Sequence, residues 1–420
     1  MMETLPGRPG RRKWGCCGVL KEVQMLRAGV GFVCASVLLG VSVERAEALD
    51  REQRHRAQEM SARAIEYLRT QQDEETGGWS VPPEGVPALP AVTGLVVRGM
   101  LMDPKIDADD PAVARGVEYL LSFRKPDGSI HDGVLATYNT AIVLSALADV
   151  RRPDAAAAIV PAQNFLKGIQ WSEDSLDHPE TGKVGRDHAF YGGIGYGRHG
   201  RPDLSNTSFA VEAWRASGLS TDDEAFQRAL VFLERVQMHG EFNDMEYASG
   251  STQGGFIYST SINADEVGVG QSFAGTIEEV TFGGQRVSRL RAYGSMTYAG
   301  FKSYLYANLD RDDPRVRTAH EWIAKNYTLA ENPGMGMDGF YYYMLMFSRA
   351  MDAWGESTIT MLSEEGEPIE TREWASDLVE RLSMLQREDG SFASMDDRWM
   401  EDNPELITAY SLLALQHALR

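Results

Sequence analysis

Two acidic strings offer carboxyl groups that could donate a proton. Asp107-Ala108-Asp109-Asp110 and Asp310-Arg311-Asp312-Asp313 each hold three acids within four positions. In both copies a Pro and then a helical pattern follow the string, and Asp before Pro at a helix start is ordinary capping chemistry. Because the string occurs twice at equivalent places, we interpret both copies as helix caps. We predict that Asp109 and Asp110 cap the helix that begins at Pro111 and lie outside any cavity.

A second set of polar and aromatic residues gathers where predicted helices begin and in the loop before one of them. Aromatic walls suit a carbocation or a polyprenyl chain, whereas Tyr combined with Arg and His suits a polysaccharide lyase or hydrolase. Taken singly, each residue is better explained as a half-buried wall residue, but for the cluster we favour a binding role. The candidates are Asn206, Arg291, Tyr293, Tyr298, Lys302, Tyr341 and Tyr342 at helix starts, and His188, Tyr191, Tyr196, Arg198, His199 and Arg201 in the loop.

Asp338 is the one acid of this set that we expect to reach a cavity, and it is our candidate catalytic residue. A carboxyl group buried among aromatic residues has a raised pKa, which suits a proton donor. Alternatively, Asp338 only caps the helix that starts at Phe340, through the turn at Gly339.

A recurring segment indicates which elements position these residues. A Gln near a helix end, a Gly turn and one aromatic or aliphatic residue recur at 71–79, 237–242 and 386–392, and 123–130 is a worn copy in which the Gln is absent. Such recurrence is typical of repeat architectures. We predict outer helices at 51–71, 111–124, 155–170, 222–238, 314–326 and 371–387. Each is followed by a more apolar inner helix, at 89–102, 138–149, 206–217, 296–309, 340–354 and 404–419.

Most inner helices share a Thr near the start, followed by small residues that allow close packing. The five threonines are Thr93, Thr140, Thr207, Thr297 and Thr408. Six helical hairpins are the number that closes an all-α (α/α)6 toroid or barrel, whereas an open solenoid would need more uniform repeats. We therefore predict one toroid domain at 49–420, with parallel inner helices whose N-termini converge on one rim.

That rim is where we expect a ligand. Helix dipoles there favour a negative group such as a diphosphate or a carboxylate. Arg291 and Lys302 would add positive charge, and Tyr298 and Tyr342 would line the apolar part.

Two long loops, 171–205 and 240–295, precede inner helices and should therefore crowd the same end of the barrel. Loops of this length in a compact domain are usually functional or disordered. Thr276 to Leu290, around Gly283-Gly284, predicts a small β-hairpin insertion.

The first 48 residues read as a signal peptide. Basic residues precede an apolar run at 28–43, and Ala46-Glu47-Ala48 offers a cleavage site, although translation could instead start at Met25. The run is short for a membrane span, so we favour cleavage and export, to the periplasm or outside the cell, over an N-terminal anchor. No stable membrane span would remain after cleavage.

Charge and cysteine content exclude several classes of function for the remainder. Without residues 1–48 the chain holds 34 basic and 57 acidic residues, a net charge of −23, which opposes nucleic-acid binding. All three cysteines lie in the leader, so the mature chain has no disulfide, thiolate nucleophile or Cys-ligated zinc. No phosphate loop or dinucleotide fold is present, and we expect no cofactor.

The repeats, the hairpins and the Thr-led helices resemble the prenyltransferase and squalene-cyclase repeat superfamily over residues 50–420. The chain is similar in particular to exported bacterial single-toroid proteins of unassigned activity. GGIGYGRHGRPDLSNTSFAVEAW (192–214), YGSMTYAGFKSYLYANL (293–309) and ENPGMGMDGFYYY (331–343) carry that closer resemblance. In squalene–hopene cyclases the middle Asp of the DxDD string protonates the substrate, which would be Asp109 here, but its second copy favours capping.

Resemblance to protein prenyltransferases would imply zinc, held by an Asp and a Cys two positions apart and by a His at the last inner helix. The matching segment is Asp338-Gly339-Phe340, and Leu406 and Ile407 stand where the His would be. Since zinc needs three or four ligands, we predict no zinc site.

Three functions remain open. The first is a terpenoid-cyclase-like or prenyl-lipid-handling protein with a lipid-like small-molecule ligand. The second is a non-catalytic binding or scaffold protein, and the third is a carbohydrate-active α/α-barrel lyase or hydrolase. A dry aromatic cavity favours the first, a filled barrel the second, and an open charged groove the third.

Overall fold

A computed structural model describes residues 49–175, 183–197, 200–281, 283–394 and 396–420. The predicted signal peptide (1–48) and the candidates Arg198 and His199 lie outside these ranges. In the part that is described, no helix has both the length and the apolarity needed to cross a membrane.

Twelve α-helices lie within the described residues, and they alternate between two patterns of burial. The outer helices are α1 (Arg51–Gln71), α3 (Pro111–Ser122), α5 (Pro153–Gly168), α7 (Glu224–Val236), α9 (Pro314–Lys325) and α11 (Trp374–Ser383). The inner helices are α2 (Pro90–Leu101), α4 (Ala136–Asp149), α6 (Leu204–Ala216), α8 (Gly294–Tyr306), α10 (Phe340–Trp354) and α12 (Pro404–Ala418). Helix α9 buries Val316, Ala319 and Ile323 on one face, whereas α6 is buried on every face from Leu204 to Trp214.

The inner helices form a closed ring. Each packs against the next along the chain, and α12 packs against α2, which closes the ring. The outer helices cover it, with α1 against α12, α3 against α2 and α9 against α8. This arrangement confirms the predicted (α/α)6 toroid and excludes the open solenoid.

Three two-stranded antiparallel sheets lie in the described parts of the loops. β1 (Ser259–Ser261) pairs with β2 (Val267–Gln271), and β3 (Thr276–Val280) pairs with β4 (Arg286–Leu290). Thr276 lies opposite Leu290, which confirms the predicted hairpin. β5 (Thr358–Leu362) pairs with β6 (Pro368–Glu373), so the sixth outer helix was predicted to start too early.

The threonines of the inner helices act as acceptors for the loops. Each Oγ1 accepts the backbone N–H of the apolar residue after the Gly turn, here called the anchor residue. The pairs are Trp79 with Thr93 (2.9 Å), and Ile130 with Thr140, Ile194 with Thr207, Phe256 with Thr297 and Phe392 with Thr408 (3.0 Å each). All five bonds are buried, so they satisfy loop N–H groups that water cannot reach.

The repeated glutamines join each turn to the next outer helix. The carboxamide Nε2 donates to the carbonyl of the turn Gly and to a carbonyl of that helix. These pairs of acceptors are Gly77 and Ala112 for Gln72, Gly192 and Ala225 for Gln170, Gly254 and Arg315 for Gln237, and Gly390 and Met60 for Gln386. Gln386 links the last outer helix to the first.

The structure corrects the repeat in two places. The anchor residue that follows Gln237 is Phe256 rather than Phe242, since a long insertion separates the glutamine from its turn. A further copy begins at Gln170 and was missed for the same reason. Its turn requires glycine because Gly192 has φ +83° and an added Cβ would lie 1.8 Å from the carbonyl oxygen of Arg228.

Replacing one of these threonines tests the contribution of the anchor bond. Thr408→Val keeps the side-chain shape but leaves the buried N–H of Phe392 without an acceptor, which should lower the free energy of unfolding by about 1–3 kcal/mol. Thr408→Ser keeps the hydroxyl and should lose less. Urea denaturation of both variants measures the difference, and a valine variant as stable as the serine variant would contradict the proposed role.

The first acidic string lies on the outside of the toroid. Asp110 Oδ1 accepts the N–H groups of Ala112 (3.0 Å) and Val113 (3.4 Å), and its two oxygens pair with Arg69 at 3.0 and 2.7 Å. The predicted cap is therefore confirmed for Asp110. It is wrong for Asp109, which is exposed and whose own N–H donates to Asp107. The second string behaves alike, with Asp313 capping α9.

Asp110→Ala should lower the free energy of unfolding by about 1 kcal/mol at pH 7, as is usual when a cap is lost. The hydrogen bonds from Arg69 hold the pKa of Asp110 below its ordinary value. The difference from wild type should therefore be complete above the unfolded-state pKa of about 3.9 and vanish as the pH falls through the lower folded-state pKa. Asp109→Ala serves as the control and should leave stability unchanged at pH 7 and at acidic pH.

Candidate functional site

A cavity of about 230 Å³ lies at the end of the toroid where the inner helices begin. All six inner helices contribute residues from their starts, which confirms that they run parallel and share one rim. The aromatic residues in its wall are Tyr138, Tyr196, Tyr258, Phe273, Tyr293, Tyr342, Trp399 and Tyr410. The aliphatic and thioether residues are Leu89, Ala91, Val92, Leu95, Leu135, Ile142, Met296, Met400 and Leu406. The wall is completed by Asn139, Ser205, Ser295, Gly339 and Glu401.

Several tyrosine hydroxyls are paired within this wall. Tyr138 Oη donates to Ser205 Oγ at 2.6 Å, and Ser205 Oγ lies 2.7 Å from Tyr342 Oη. Tyr196 Oη and Tyr258 Oη lie 2.7 Å apart. Because these polar groups satisfy one another, the surface offered to a ligand is mainly apolar.

Glu401 contributes the one carboxyl group among the described residues of the wall. It sits on the turn before α12 and is only 1% exposed. Its Oε1 accepts the N–H of Tyr342 at 2.8 Å in the first turn of α10. Its Oε2 is buried and has no hydrogen-bond partner among the residues described. Burial raises the pKa of Glu401 to about 7, although the backbone N–H groups of Tyr342, Tyr341 and Phe340 lower it.

A second buried carboxyl group lies behind the wall. Asp203 is the N-cap of α6, accepting from Asn206 N at 2.9 Å and from Asn206 Nδ2 at 2.8 Å. Burial raises its pKa to about 6. Since its oxygens are both occupied and it does not line the cavity, its role is structural.

Below the cavity the barrel is filled by buried charges. Glu212 Oε2 lies 2.6 Å from Lys302 Nζ and 3.1 Å from Arg349 Nη1, and its Oε1 pairs with Arg98. Burial alone would raise the pKa of Glu212, but the three cations hold it well below its usual range. Burial lowers the pKa of Lys302 to about 8. Lys302 therefore belongs to this charge cluster, and its predicted place at the rim is wrong.

Three predicted residues do lie in the cavity wall, namely Tyr196, Tyr293 and Tyr342. Tyr298 is buried against Tyr343 and Phe347, and Tyr341 donates its hydroxyl to Ala393 O, so both belong to the core outside the cavity. Tyr191 is buried outside the wall as well, 3.4 Å from Glu173 through its hydroxyl.

The predicted polar candidates lie outside the cavity wall. Asn206 binds Asp203, and Arg201 donates to Gln271 at 2.7 Å while its guanidinium lies 5.4 Å from the Tyr258 ring centre. Arg291 is half-buried on the loop before α8, and His188 stacks on Trp171. None of these side chains lines the cavity.

The prediction that Asp338 reaches the cavity is wrong. Its carboxylate is 42% exposed and forms an ion pair with Arg398 on the surface, while the following residue, Gly339, lines the cavity. It makes no side-chain cap to α10, which begins after Gly339 in the left-handed conformation. The residues described contain no group of three or more His, Cys, Asp or Glu placed to hold a metal ion.

Backbone strain gathers at the cavity. Among the described residues five non-glycine residues have positive φ, and Leu135 (46°), Trp399 (56°) and Met400 (66°) all line the cavity. Such strain persists where the surrounding structure imposes it, often at binding sites. It also explains how Glu401, which follows Met400, is turned inward.

Leu135 allows a test of this strain. Leu135→Gly and Leu135→Ala both remove the side chain, but only glycine tolerates the left-handed conformation, so the glycine variant should be more stable than the alanine variant by about 1 kcal/mol. Thermal and urea unfolding measure the difference. Equal stability of the two variants would mean that the backbone at this position is not strained.

The fold and the cavity define a class of protein: a closed α/α toroid with an aromatic pocket at the N-termini of its inner helices. Residues 86–262 match the family model of the squalene-hopene cyclase C-terminal domain. Together with the six-hairpin ring, this match supports the resemblance to the prenyltransferase and terpenoid cyclase toroid superfamily. A comparison with curated protein sequences finds no match.

Solved structures of varied activity are similar to this chain. A D-mannose isomerase is 10% identical, with 86% of this chain and 96% of that chain covered and a TM-score of 0.53. The GH76A alpha-1,6-mannanase from Salegentibacter is 9% identical, with 86% and 98% covered and a TM-score of 0.50. A variant of the type II terpene cyclase MstE from Scytonema, solved with its product merosterolic acid A, is 13% identical, with 88% and 99% covered and a TM-score of 0.49.

Proposed function

We propose that the protein binds a prenyl-type hydrocarbon ligand in the aromatic cavity and acts as a terpenoid-cyclase-like protein. The observation that carries the proposal is the cavity wall, in which aromatic and aliphatic side chains predominate and four of the six tyrosine hydroxyls described there are paired within the wall. Burial of an apolar chain in such a site is favourable in proportion to the area removed from water. The squalene-hopene cyclase family match supports the same class of ligand.

The amide and serine groups of the wall argue against a sugar ligand, which would need free donors and acceptors. Asn139 is occupied, accepting from Ala91 N and donating to Val134 O, both at 2.9 Å. Ser205 is engaged by two tyrosines, and Ser295 Oγ accepts from Asn332 at 3.3 Å. The mannanase and isomerase share the fold alone, so they do not outweigh this wall.

The scaffold alternative expects a filled barrel. The charge cluster around Glu212 does fill the lower part, but the upper part holds the cavity. Strained backbone at Leu135, Trp399 and Met400 is hard to explain in a barrel that only supports other parts of the chain. We therefore favour a ligand-binding role.

Fluorescence titration tests the proposal, since Trp399 lies in the wall. Geranylgeraniol should quench or shift the emission, and mannotriose should not. Ala91→Trp fills the cavity and should weaken geranylgeraniol binding at least tenfold, because the bulky ring occupies the ligand's volume.

Ala157→Trp makes the same change on the exposed face of α5 and is the matched control. It should bind like the wild type, and both variants should melt within a few degrees of it. Binding of mannotriose instead of geranylgeraniol, or equal binding by both tryptophan variants, would contradict the proposal.

A further inference from the structure

We propose that Glu401 is the proton donor that starts cyclisation of an alkene ligand in the cavity. This inference rests on the proposed prenyl-type ligand and adds the reaction and its acid. Glu401 supplies the single carboxyl group among the described residues of the wall. The acidic string at 107–110, in contrast, is on the outside, where Asp110 is occupied as a cap and Asp109 faces solvent.

The two oxygens of Glu401 have different surroundings. Oε1 is held by the N–H of Tyr342 at 2.8 Å, which fixes the orientation of the carboxyl group. Oε2 is buried and unpartnered among the residues described, in a side chain that is 99% buried, so it is the oxygen left to hold a proton. An unpaired polar atom at this depth is costly, and a functional site is the usual reason for keeping one.

The protonation state also suits a donor. Burial is the main reason that the pKa of Glu401 reaches about 7. The backbone N–H groups of Tyr342, Tyr341 and Phe340 lower this pKa, and the negative charge of Asp396 raises it. The groups that face Glu401 from the packed elements are Asp396, Tyr341, Tyr342 and Tyr410. No cation acts on this carboxyl group among the influences resolved for it, so it keeps its proton at neutral pH more readily than a paired acid.

The reaction balances without a cofactor. The O–H bond of Glu401 breaks, its proton forms a C–H bond with the π electrons of a terminal alkene, and a tertiary cation and a carboxylate result. The next alkene attacks this cation and forms a C–C bond of the ring. Water at the cavity mouth removes a proton from the carbon next to the last cation, and solvent returns a proton to Glu401, so the product is an isomer of the substrate.

The surrounding rings can stabilise the cation. Tyr342 and Tyr410 lie edge to face with ring centres 6.3 Å apart, and both line the cavity with Trp399. Aromatic faces within about 6 Å attract a cation, most strongly when water is excluded. The residues that wall the ligand are thus also suited to its charged intermediate.

Turnover in deuterium oxide tests the assignment. Wild-type protein incubated with geranylgeraniol should give a cyclic isomer that carries one deuterium from solvent, detected by mass spectrometry. Glu401→Gln removes the transferable proton with little change in shape and should reduce turnover at least about 100-fold, while geranylgeraniol binding by fluorescence is retained. Glu401→Asp should recover part of the turnover.

Asp109→Asn is the matched control, since it makes the same chemical change in the exposed string. It should leave turnover unchanged. Asp396→Asn distinguishes a catalytic role of Glu401 from a structural one through the pH dependence of turnover. Removing its charge lowers the pKa of Glu401, so the loss of turnover as pH rises should shift to lower pH.

The outcomes separate this inference from the proposed function. Binding without any cyclic product in the wild type would overturn the role of Glu401 and leave the ligand proposal intact. Retained turnover in Glu401→Gln, or loss of turnover in Asp109→Asn, would also overturn it. Absence of geranylgeraniol binding would contradict the proposed function and the acid together.

Discussion

The hydrogen bonds from the anchor residues to the threonines of the inner helices determine how this toroid is built. A loop that crosses the end of a buried helix carries N–H groups that must find acceptors. Each Thr Oγ1 provides one close to the start of its helix, and each repeated Gln ties the same turn to the following outer helix. Each such loop is therefore held near the start of its inner helix. The cavity at the shared N-termini is the space that these loops surround.

The two ends of the barrel differ because their polar groups are satisfied differently. At the lower end Glu212 pairs with long basic side chains from three inner helices, and this cluster fills the interior. Truncating one partner of such a cluster would leave an uncompensated charge, which is strongly destabilising. At the upper end the polar groups of the wall pair locally as hydroxyls and amides, so an apolar space can persist.

The architecture could be predicted from the sequence, because the helical spacing of apolar residues and the threonines near helix starts recur along the chain. Most helix ends agree with the prediction within a few residues, and α10 agrees at both ends. The site was harder to predict because it depends on backbone conformation. Lys302 reads as a rim cation until its partner Glu212, 90 positions away, is placed beside it. Glu401 lies in an acidic segment before a Pro-led helix, which is typical of a capping sequence, and only the left-handed conformations of Trp399 and Met400 turn it inward.

The toroid explains how an acid can occupy a new position without a change of fold. All six inner helices begin at one cavity, so the loop before any of them can deliver a functional group to the same ligand. The requirement is a carboxyl group shielded from water and from cations, rather than a particular string. In this chain the two acidic strings provide caps: Asp110 pairs with Arg69 and Asp313 with Arg315, and these pairings lower the pKa of both carboxyl groups. The turn before α12 meets the requirement, because it buries a carboxyl group among aromatic rings and leaves one oxygen unpaired.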